Sequence, residues 1–114
     1  MDTVTKKIWS VPELESFERT IHKVLEENDW RDGHKFHSRA DIYLNNISTR
    51  ILTNAVELSY DIIYCINKDR TEKHTVECFT PGNVMSIYDY IDDIEMMIRL
   101  NSRRTNTLEN FNRG

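Results

Sequence analysis

The stretch Val56-Glu57-Leu58-Ser59-Tyr60-Asp61-Ile62-Ile63-Tyr64-Cys65-Ile66 puts an apolar or aromatic side chain at every second position from Val56 to Ile66. Successive side chains leave a strand on opposite sides, so this period predicts a half-buried β-strand. Lys68-Asp69-Arg70-Thr71-Glu72 has the composition of a turn, and His74-Thr75-Val76-Glu77-Cys78-Phe79-Thr80 suits a returning strand. An antiparallel hairpin over about 55–67 and 73–80 follows, closed by Pro81-Gly82-Asn83.

The period changes on both sides of the hairpin. Downstream, Val84, Ile87, Ile91, Ile94 and Ile98 recur in steps of three and four, which predicts a helix over about 83–101 buried along one seam. Its acidic first half (Asp89, Asp92, Asp93, Glu95) and basic end (Arg99, Arg103, Arg104) suit the helix dipole. Residues 102–114 carry no period and read as a frayed tail of a single small domain. Upstream, Ser10-Val11-Pro12-Glu13 has the residues of a helix start. Leu14, Phe17, Ile21, Val24 and Leu25 then share one face of a helix over about 11–28. Asn28 to Gly33 should turn, with Gly33 free to take a positive φ.

Segment 38–53 supports two readings. Ser38-Arg39-Ala40-Asp41 resembles a capping box, and Ala40, Tyr43, Leu44, Ile47 and Ile51 fit helical spacing. Tyr43, Ile47, Thr49 and Ile51 also fit alternation, with Asn45-Asn46 as a turn between strands. The balance tips slightly to a helix ending near Asn54. The fold class is α+β: two amphipathic helices packed on a short antiparallel sheet. Small α+β modules that bind double-stranded RNA share the order helix, strands, helix. Where they need a loop histidine and a lysine cluster, this chain has Pro81-Gly82-Asn83 and acids, so no family follows.

Length and composition narrow the function. The chain has 114 residues, enough for one core, and its formal charge of -4 argues against a nucleic-acid binder working through overall charge. Met1 to Ser10 lacks the apolar centre of a signal peptide, and no apolar run is long enough to span a bilayer, so a cytoplasmic location without a membrane partner is expected. Frequent Asn and Ile with scarce Ala suggest AT-rich coding, as in many phages and viruses.

The chemistry-bearing residues form weak patterns. His34 and His37 with Asp41 come nearest to a zinc ligand set, but without a His-Glu-x-x-His or Cys-x-x-Cys motif no metal or cofactor is expected. Cys65 and Cys78 can approach only if Phe79 is the inward residue of its strand; the default for Cys78 is a buried small hydrophobe. There is no nucleophile elbow and no glycine-rich phosphate loop, so no enzyme is expected.

A non-enzymatic protein-binding regulator remains: an inhibitor, adaptor or small subunit, of phage or viral type if the coding bias is a guide. Its expected working surface is Tyr88, Asp89, Asp92, Asp93, Glu95 and Met96, where aromatic and Met anchors lie beside acids. The alternative is a dimeric nucleic-acid-associated regulator that reaches phosphates with Arg99, Arg103, Arg104, Phe111 and Arg113. Either reading admits a second copy of the chain as a partner.

Overall fold

A computed structural model describes residues 8–36, 41–66 and 68–112, with the side chains of 66 and 101–112 outside the description. The element order is α1 (Val11–Glu27), β1 (Ile42–Leu52), β2 (Ala55–Ile66), β3 (Asp69–Phe79) and α2 (Met85–Asn112). The three strands form one antiparallel sheet in the order β1-β2-β3, and both helices bury their seams against the same face of it. The α+β architecture and the hairpin expected from the sequence are both present.

Helix α1 begins as its residues dictate. The Ser10 side chain accepts from the Glu13 amide while the Glu13 carboxylate accepts from the Ser10 amide, a reciprocal capping box. At the other end Asp29 takes φ 59°, the Asp29 amide donates to the Glu26 carbonyl, and the Trp30 amide donates to the Leu25 carbonyl at 2.8 Å. This is a Schellman stop with an aspartate where glycine is usual, and it swings Trp30 back over the helix into the core. Gly33 takes a positive φ of 88°, as expected.

Segment 42–52 is a strand, so the preference for a helix there is corrected. The cause is a β-bulge: Asn45 pairs with Asp61 and Ser48 with Ser59, leaving Asn46 and Ile47 opposite the single residue Tyr60. The core face is formed by Ile42 and Leu44 before the bulge and by Ile47 and Ile51 after it. One inserted residue turns a strict two-residue period into steps of two, three and four, which imitates a helix.

The second hairpin is tighter than composition suggests. The strands are paired from Ile66 and Asp69 outward, with Lys68 at φ 73°, so residues 69–72 belong to β3 rather than to a turn. Phe79 is its inward residue, and Val76 and Cys78 lie on the other face, exposed. The buried position expected for Cys78 is therefore corrected. Both cysteines are free thiols, and the partner of Cys78 is Glu57, far along β2 from Cys65, so the two sulfurs cannot meet.

Helix α2 also departs from expectation at both ends. It continues to Asn112 instead of ending near Asn101, and Val84 is exposed while Ile87, Ile91, Ile94 and Ile98 carry the buried seam.

Candidate functional site

The inner side of α2 is fixed by an aromatic cluster. Trp30 meets Phe36, Tyr60 and Tyr90 edge-on, and Phe79 meets Tyr90 in the same way. The Tyr60 and Tyr90 hydroxyls hydrogen-bond to each other, joining β2 to α2. Burial pushes the Tyr60 phenol well above its ordinary range, and the bond to Tyr90 pushes it further; burial also raises Tyr90. Both phenols are therefore neutral at neutral pH, each able to donate and accept a hydrogen bond.

Glu95 closes this side of the helix. Its Oε1 accepts from Trp30 Nε1 at 2.9 Å and from His34 Nε2 at 2.8 Å. Burial pushes the carboxyl upward, yet the bonds from His34 and Trp30, with the charges of His34 and Arg99, outweigh it and hold Glu95 below its ordinary value. Glu95 is a locking residue between α2 and the loop after α1, not a member of an open surface. Tyr88 also serves packing: it lies against the core and its hydroxyl donates to Glu27 at 2.8 Å.

The remaining expected surface residues behave differently. Asp89, Asp92, Asp93 and Met96 are all exposed on α2, with Asp89 and Asp93 bordering an open depression shared with Glu77 to Thr80 at the end of β3. At about 100° per residue, Met85, Asp89, Met96 and Leu100 fall on one line opposite the buried seam, with Asp92 and Asp93 on either side. Met85, Met96 and Leu100 are 62%, 60% and 52% exposed. None of the three aspartates makes a hydrogen bond or ion pair among the described residues. Sequence reasoning chose four of these residues and missed Met85 and Leu100, although the same helical spacing that located the seam also places them.

The other candidates are dispersed. Arg99 is exposed near Glu95; the Arg103, Arg104 and Phe111 side chains and Arg113 lie outside the described residues. His34 is engaged by Glu95, His37 lies outside the description, and the Asp41 carbonyl accepts from the Cys65 amide. Among the described residues no group of three His, Cys, Asp or Glu side chains is placed to hold a metal.

An open depression of about 580 Å³ between the end of α1 and the bulge of β1 is bordered by His22, Glu26, Asp32 and Ile47. Beside it, Thr49 Oγ1 donates to Glu18 at 2.8 Å and lies 2.8 Å from His22 Nε2. The threonine proton is directed to the carboxylate, so His22 must donate and cannot act as a base toward Thr49. The three residues tie α1 to β1.

No helix among the described residues is long and apolar enough to cross a membrane. Comparisons with protein-family models, curated proteins and solved structures find no match.

Proposed function

We propose that this protein is a non-enzymatic binding module that presents the outer face of α2 to another protein. One observation supports the reading above others: Met85, Met96 and Leu100 stand exposed in line, flanked by Asp89, Asp92 and Asp93 with their carboxylates unpaired among the described residues. Exposed methionines adapt to an apolar pocket at low cost, and carboxylates beside them select a partner whose rim carries Lys or Arg. The inner side of the same helix is held by the Trp30–Glu95–His34 bonds, so the outer face is offered on a fixed support.

In this reading Tyr88 and Glu95 leave the working surface, and Met85 and Leu100 join it. The test is affinity capture from cells with the wild type and with D92K/D93K as paired baits, read by mass spectrometry. A partner retained by the wild type and depleted at least tenfold from the variant supports the reading. Equal recovery on both baits would refute it.

A further inference from the structure

The two long edges of the sheet are finished differently. Along β1, the Gly33 amide donates to the Leu44 carbonyl, the Leu44 amide to His34 and the Phe36 amide to Ile42, while the Asp32 side chain accepts from the Ile47 amide. Along β3 no backbone group is paired on the side away from β2, among the described residues. Its register with β2 is unbroken from Asp69 to Phe79, without the bulge or proline that commonly disables such an edge.

We infer that the β3 edge pairs antiparallel with the same edge of a second copy of this chain, about a two-fold axis normal to the sheet at Thr75. In an antiparallel ladder residues directly opposite each other share a face, which restricts the symmetric registers to those with a residue facing itself on the axis. An axis at Lys73 sets lysine against lysine and Asp69 against Glu77. An axis at Glu72 or Glu77 sets glutamate against itself. Axes at His74 and Val76 bring no opposite charges together, and an axis at Thr71 pairs only Asp69 to Lys73. The axis at Thr75 places Lys73 opposite the second copy's Glu77 twice over and opposes no like charges, while pairing Thr71 through Phe79.

Two features of the single chain fit that register. Within their own sheet Lys73 faces Ile62 and Glu77 faces Leu58, and neither makes an ion pair among the described residues. The Thr75 hydroxyl, on the proposed axis, is buried without a hydrogen-bond partner. Rotation of its side chain toward the ladder would let it bond to the second copy's Thr75, a pairing that stabilises neighbouring strands. Asp89 and Asp93 border a depression with Glu77 to Thr80, so the second copy's strand would run beside that flank of α2. The pairing and the partner-binding reading are told apart by their tests, one of which reads mass and the other partner capture.

Sedimentation equilibrium of the full chain at low salt tests the pairing. The wild type should reach twice the 13.6 kDa chain mass, K73E should weaken association at least tenfold, and K73E/E77K should restore it. Should the double variant not fold, amide exchange along β3 of the wild type replaces it, and must slow as concentration rises. A wild type that stays at 13.6 kDa up to about 0.5 mM overturns the proposal. So does a dimer that K73E leaves intact, a folded K73E/E77K that stays monomeric, or β3 exchange indifferent to concentration.

Discussion

Glu95 and the pair Asp92 and Asp93 lie within one turn of the same helix and meet opposite fates. Glu95 faces the loop after α1, where it takes two hydrogen bonds and loses most of its contact with water. The aspartates lie off that inner side, exposed, and make no bond among the described residues. Phase puts them on different flanks, since about 100° of helix rotation per residue separates neighbouring side chains, and Trp30 and His34 supply the partners on the flank of Glu95. In the proposed reading a carboxylate on the inner side stabilises the fold and one on the outer side serves recognition, so substitutions on the two sides should divide cleanly between stability and binding.

The largest effect is expected at Trp30, which is 2% exposed and donates to Glu95. Trp30→Ala should cost about 3–5 kcal/mol in urea unfolding. Glu95→Ala leaves the buried Trp30 N–H without its acceptor and should cost about 1–3 kcal/mol, while Glu95→Gln, which keeps an acceptor oxygen, should cost less. Outer-face variants that cost as much would erase the contrast.

Acid should narrow the gap between the wild type and Glu95→Gln. The folded carboxyl is held below its ordinary value of 4.5, so its contribution is complete above that pH and declines as pH falls through the folded value. Unfolding free energies measured between pH 7 and pH 3 should converge; a constant difference would remove the charged form of Glu95 from the lock. Tyr90→Phe, which deletes one member of the Tyr60–Tyr90 bond, should cost about 1 kcal/mol. The smallest effect on stability belongs to D92K/D93K, whose melting temperature should stay within about 2 °C of the wild type.

The pattern of the residues made some of this legible and concealed the rest. Val56 to Ile66 announces β2 because nothing interrupts its alternation, and Ser10 to Glu13 announces the start of α1 because capping is local. Segment 42–52 misleads because its bulge at Asn46 and Ile47 is visible only against the partner strand. The phase of Cys78 and Phe79 likewise depends on which face the helices cover. At the candidate site the acids were visible as a cluster, but which of them turn inward was not. That was decided by Trp30 and His34, far away in the chain and delivered by a helix stop built on Asp29 instead of glycine.

The most direct measurement is a binding isotherm of the captured partner against wild type, D92K/D93K and Glu95→Gln, each checked for an intact fold. The account predicts that D92K/D93K loses at least tenfold in affinity while Glu95→Gln, though less stable, binds as the wild type does. Undiminished affinity in D92K/D93K, or a loss confined to Glu95→Gln, would contradict it.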